Sequence, residues 1–89
     1  TIRANINASG NRSIAHNVNG IGTFRAVDYS RSFLVRADGE YCPLPLSTAV
    51  DGQEYYASFV SFINETSVVV QVGTRTFGDY TITINYTKN

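Results

Sequence analysis

The chain of 89 residues has no methionine, no tryptophan, one cysteine, one histidine and two prolines. A single cysteine, Cys42, excludes an intrachain disulfide, and with one histidine it leaves no metal-ligand cluster of the zinc type within one chain. Seven basic residues balance seven acidic ones. The six arginines, Arg3, Arg12, Arg25, Arg31, Arg36 and Arg75, are scattered and form no basic stripe, which excludes nucleic acid and anionic membranes as partners held by phosphate neutralisation. No apolar run approaches the roughly 18 residues of a spanning helix, and no signal-peptide pattern is present, so no membrane insertion is expected. The missing methionine suggests a piece processed or excised from a longer protein.

What is present is β-structure. An apolar fraction of 43% supports one domain over residues 1–89, although a chain this short buries only about 60–65% of its unfolded surface. Oligomerisation is the supplement left open to it. Ile2, Ala4 and Ile6 alternate in a first strand, followed by turn chemistry at Asn7, Ser9, Gly10 and Asn11. A second strand is expected over 13–18, closed by the type I′ hairpin signal Asn19-Gly20. Strands over 24–28 and 32–36 follow, separated by a polar turn at 29–31, and Asp38-Gly39 marks another turn. Pro43 and Pro45 cannot donate to a ladder, which places 41–46 at a sheet edge.

The most apolar run covers 55–63, and both of its parities are apolar: Tyr55, Ala57, Phe59 and Ile63 on one, Tyr56, Val60 and Phe62 on the other. Such a strand is covered on both faces. Two readings are open, a partner subunit packed on Tyr56 and Phe62, or a bulge that turns both inward. Val68, Val70 and Val72 form a further strand that Gly73 ends. The last segment is the most regular: Tyr80, Ile82, Ile84 and Tyr86 alternate with Thr81, Thr83, Asn85 and Thr87, one strand with one buried face. No segment keeps helical periodicity. The fold class is all-β, an antiparallel β-sandwich of six to eight short strands.

Chemistry is sparse. His16 would have to be the base of any triad, yet no serine stands in a nucleophile-elbow context, and the chain does not read as an enzyme. Three copies of His16 on a threefold axis would be the one route to a metal, so neither metal nor cofactor is expected of one chain. Cys42 reads as a small buried hydrophobe. The acidic residues sit at turns without the spacing of a calcium loop. Four glycosylation tripeptides, at Asn7, Asn11, Asn64 and Asn85, follow from a composition rich in Asn, Ser and Thr. Among the tyrosines, Tyr80 and Tyr86 read as core while Tyr29 and Tyr41 stand free. Asp28, Tyr29 and Arg31 place an aromatic ring beside planar hydrogen-bonding groups, the parts of a sugar site, within one turn.

Three segments, Tyr80-Thr-Ile-Thr-Ile-Asn-Tyr-Thr-Lys88, Val68-Val-Val-Gln-Val-Gly73 and Ser13-Ile-Ala-His16, together resemble the C-terminal head domains of bacteriophage tail fibres and tailspikes. The sandwich also resembles the H-type lectin fold. The chain differs in lacking tryptophans and in following His16 with Asn17-Val-Asn-Gly20. The resemblance implies a homotrimer at the far end of a virion tail protein, attaching to a bacterial surface glycan or outer-membrane receptor. The alternatives are a trimerisation cap that binds no ligand and a monomeric adhesin-type module. If the strands form a simple meander, alternate loops share the distal end, and the binding rim there comprises Asn11, Arg12, Tyr29, Arg31, Asp51, Gln53 and Arg75.

Overall fold

The computed structural model describes residues 1–46 and 57–88. Nine short strands run through them: β1 (Ile2–Ile6), β2 (Gly10–Ala15), β3 (Ile21–Val27), β4 (Phe33–Arg36), β5 (Tyr41–Pro43), β6 (Ser58–Ile63), β7 (Ser67–Val72), β8 (Gly78–Ile82) and β9 (Ile84–Lys88). All pairings are antiparallel, and among the described residues the one helical element is a 3-10 turn at Tyr29–Arg31. Asp51, Gln53 and Tyr56 lie outside the described residues. A four-stranded first sheet has the order β1-β8-β4-β5, a second has β2-β7-β6, and β3 and β9 form a two-stranded ribbon.

Alternation builds the core. Ile6 of β1, Leu34 of β4, Cys42 of β5 and Tyr80 and Ile82 of β8 point inward from the first sheet, and Val68, Val70 and Val72 of β7 meet them from the second. Each is nearly or fully buried, and a side chain of this size contributes about 1.5–3 kcal/mol when withdrawn from water. Pro43 lies in β5 at the open edge of the first sheet, as two prolines in that segment require.

The expected meander does not form. Asn19-Gly20 closes no hairpin, because β2 pairs with β7 and β3 pairs with β9. Turn chemistry is local, whereas the partner of β2 is set by which strand can match its inward Ile14, and that is β7, where Ile14 stands opposite Val68. The strand itself ends at Ala15 rather than at residue 18.

The terminal segment also departs from expectation: it is two strands, broken at Thr83. The strands opposite it, β3 and β4, are separated by an insertion. Val27 stands opposite Ile84 and Phe33 opposite Thr81, so the five residues 28–32 face only residues 82 and 83. The surplus folds into the 3-10 turn. Asp28 N–H donates to the Thr83 carbonyl at 2.8 Å, Thr83 N–H to Ser32 Oγ at 3.0 Å, and Thr83 Oγ1 to the Arg31 carbonyl at 3.2 Å. Beyond this bracket β9 pairs with β3 alone, and Tyr86, expected in the core, is 39% exposed.

In β6 the answer to the doubly apolar run is a bulge, with an outcome opposite to the inward turn expected of one. Ser61 is the extra residue between Val60, opposite Val70, and Phe62, opposite Val69. The shift puts Val60 and Ile63 against the core and leaves Phe59 and Phe62 together on the outer face.

Two tests follow from the packing. Gly78 opens β8 with φ +155°, and a Cβ there would fall into the Val35 carbonyl oxygen and within 2.7 Å of Arg36 Cα. Gly78→Ala should therefore lower the unfolding free energy by about 2–4 kcal/mol in urea titration. The Tyr80 hydroxyl donates to the Thr76 carbonyl at 2.7 Å and accepts from Ser58 Oγ, all three residues being buried. Tyr80→Phe orphans both partners and should cost about 2–3 kcal/mol.

The Tyr80 phenol is held above its ordinary value of 10.0 chiefly by desolvation, against which its two hydrogen bonds pull down. Its proton is thus bound more tightly folded than unfolded. The stability is present in full below about pH 10 and is lost as pH rises through the folded value, a decline that Tyr80→Phe should reduce in alkaline melts.

Candidate functional site

The outer face of the first sheet is assembled by register. Because Leu34, Cys42 and Tyr80 point inward, their neighbours point out, and the ladder aligns them in two rows across the four strands. One row runs Asn5, Asp79, Val35, Tyr41, and the next runs Arg3, Thr81, Phe33, Pro43. Each row spans about 14 Å at the usual strand spacing. The β1 and β8 half is polar: Asn5 Nδ2 donates to Asp79 Oδ1 at 2.8 Å, and Arg3 is exposed with no partner among the described residues. The β4 and β5 half is aromatic, with the Phe33 and Tyr41 rings 5.1 Å apart and tilted 32°. Tyr41 is 61% exposed, as expected of it.

The second sheet's outer face differs in character. Its rows read Phe59, Gln71, Asn11 and Phe62, Val69, Ser13. Phe59 is 37% and Phe62 55% exposed, whereas Val69 between Phe62 and Ser13 is buried.

The predicted rim is not one surface. Ile6 and Arg36 stand opposite Gly78 while Gly10 stands opposite Val72, so residues 7–9, 37–40 and 73–77 gather at one end of the sandwich. Asn11, Arg12 and Arg75 lie toward that end. Asn11 and Arg12 line a cleft of about 360 Å³ between β1 and β2 with Asn5 and Asn7, and Arg12 donates to the Ser9 carbonyl at 2.8 Å. Arg75 lines a separate cleft of about 240 Å³ with Arg36, Asp38 and Phe77. Tyr29 and Arg31 sit beside Thr83, five residues along β8 from Gly78 and so about 17 Å away. The crossovers that place β2, β6 and β7 in a separate sheet undo the alternation of loop ends that a meander would give.

The Tyr29 turn is also committed to the fold. The Tyr29 hydroxyl accepts from Val60 N–H at 3.2 Å, tying the turn to β6, so this tyrosine is half-buried rather than free. Asp28 Oδ1 accepts from Ser30 N–H at 3.1 Å and from its hydroxyl. Only Arg31 projects, its Nε 3.8 Å from Asp28 Oδ2, an exposed pair of little energetic consequence.

His16 is buried, and both ring nitrogens are engaged. Nδ1 accepts from Val18 N–H at 3.0 Å, which fixes the proton on Nε2, and Nε2–H donates to the Asn64 carbonyl at 3.0 Å. No lone pair is left for a metal shared between copies. The ring instead ties the segment after β2 to the turn between β6 and β7, where Asn64 Oδ1 accepts from Thr66 N–H at 2.9 Å and Ser67 N–H at 2.7 Å.

The residues missed by sequence reasoning are Arg3, Asn5, Phe33, Asp79 and Thr81. Their outward parity is readable from the alternation of Ile2, Ala4 and Ile6 and of Tyr80 and Ile82. Their convergence is not, since β1 and β8 lie at opposite ends of the chain. Comparisons of the chain with protein families, with curated proteins and with solved structures each return no match.

The His16 geometry has a measurable consequence. His16→Ala leaves the Val18 N–H and the Asn64 carbonyl without their partner and should cost about 1–3 kcal/mol in thermal or chemical unfolding.

Proposed function

We propose that the domain is a non-enzymatic receptor-binding head of a phage tail fibre or tailspike, a homotrimer that attaches the virion to a bacterial surface glycan or outer-membrane receptor. The observation that carries this reading is the division of labour between the two outer faces. The Ser61 bulge turns Phe62 to the same side as Phe59, and the two rings stay 55% and 37% exposed beside the buried Val69, apolar surface that the domain alone leaves wet. Burial of a phenylalanine contributes about 1.5–3 kcal/mol, so three such faces brought together supply what a small core lacks. The opposite face sets the charged Arg3 and Asp79 and the polar Asn5 and Thr81 beside the Phe33 and Tyr41 rings, the composition of a recognition surface.

The sequence resemblance adds support of its own, resting on the terminal Tyr80 to Lys88 segment and on Ser13-Ile-Ala-His16. The engagement of His16 at both nitrogens fits a structural rather than a catalytic histidine. A ligand-free trimerisation cap would use the same apolar face, and the two readings part on ligand binding alone.

Light scattering of the purified chain should give three times its 9.8 kDa, and Phe62→Ser should shift it toward monomer while retaining the β spectrum. A monomeric wild-type chain at all concentrations refutes the trimer and favours the adhesin-type module. A trimer that adheres to no bacterial cell or surface glycan refutes the receptor-binding role and leaves the cap.

A further inference from the structure

We infer that the outer face of the first sheet is a glycan platform for neutral pyranose chains, with Phe33 and Tyr41 as the stacking floor and Arg3, Asn5, Asp79 and Thr81 as the hydroxyl-reading half. The inference rests on the receptor-binding reading and names its ligand class and its surface. A pyranose ring has a C–H face and a rim of hydroxyls, and it needs both an aromatic surface and planar groups that donate and accept in pairs. The negative face of an aromatic ring attracts polarised C–H groups. Guanidinium, amide and carboxylate groups meet vicinal hydroxyls two at a time.

The geometry supplies these in order. Tyr41 and Phe33 form one tilted aromatic pair at 5.1 Å. Thr81 follows Phe33 one strand along its row, while in the other row Val35 stands between Tyr41 and Asp79; Arg3 and Asn5 end the two rows on β1. Asp79 is held in place by Asn5 at 2.8 Å and retains oxygens to accept from ligand hydroxyls. Among the described residues Arg3 has no hydrogen-bond or ion-pair partner, which leaves its donors for a ligand. The rows, about 14 Å long, accommodate more than one ring.

Charge decides the sugar class. Arg3 and Asp79 stand on adjacent strands, two residues apart in register and so diagonal neighbours on one face, and their charges cancel across the polar half. A carboxylated sugar reaching for Arg3 would bring its anion beside Asp79, whereas neutral hydroxyls use both. The rows of the second sheet's outer face also hold amide and hydroxyl groups, on Gln71, Asn11 and Ser13, but no charged side chain, so they lack the guanidinium and carboxylate of the first.

The test is a titration of the isotope-labelled chain with neutral and uronate-containing oligosaccharides, read by amide shifts, with affinities for Tyr41→Ala, Asp79→Asn and Arg31→Ala. All three positions are exposed or half-exposed, so the variants fold. Support is binding of neutral oligosaccharides with shifts on β1, β8, β4 and β5, weakened at least tenfold by Tyr41→Ala, several-fold by Asp79→Asn and unchanged by Arg31→Ala. Selective binding of uronates overturns the neutral class, and shifts confined to the Asn11 and Arg12 cleft or to the Tyr29–Arg31 turn overturn the surface; both leave the receptor-binding role standing. If no oligosaccharide binds but the chain still adheres to bacterial cells, the platform is overturned and the receptor is a protein. If nothing binds at all, the platform and the receptor-binding role fall together.

Discussion

The Tyr80 hydroxyl is the joint on which the sandwich turns. Its ring fills the centre of the core, and its oxygen links Ser58 of the second sheet to Thr76 in the connection that leads into the first. A phenylalanine would fill the same space, but the hydroxyl satisfies two buried polar groups at once and fixes how the sheets are offset. That offset matters because the outer faces inherit it. With Tyr80 anchored inward, Asp79 and Thr81 are forced outward, and the two rows of the first sheet's outer face follow from the ladder.

The second device is the asymmetric treatment of irregularities. Nine short strands leave many places where a small sheet can slip, and two of the irregularities have separate effects: one changes which side chains reach a face, and the other parts the β4–β8 ladder from the β3–β9 ribbon. Ser61 moves one aromatic from the parity of the core to that of the surface. Residues 28–32 add length opposite Thr83 without disturbing the pairing of β4 with β8 on one side or of β3 with β9 on the other. Both insertions are stabilised from outside their own strand, the turn through Tyr29 on Val60 and the β6 end through Asn64 and His16.

How much of this was legible in the sequence depends on the range of the interaction involved. Alternation is local, so the inward set Ile6, Val68, Val70, Val72, Tyr80 and Ile82 was readable directly, as was the edge position of Pro43. Partner choice is not local. Asn19-Gly20 carries a hairpin signal and yet joins strands of different sheets, and the loop rim inferred from a meander scattered over both ends for the same reason. The run over 55–63 announced a conflict of parities without saying how a bulge would resolve it. Tyr29 and Asp28 had the composition of a binding turn, and only the three-dimensional arrangement reveals that their polar atoms are already spent on the fold.

The bracket around Thr83 has one more effect. A strand that reads apolar at every second position for its whole length can slide by two residues and still present an apolar face, and sliding by one inverts its faces altogether. Five residues clasped around two make a keyed joint. Only one alignment of the terminal segment lets Thr83 meet Asp28, Arg31 and Ser32 together, so a periodic strand acquires a unique position along its neighbours from the single place where its periodicity is interrupted.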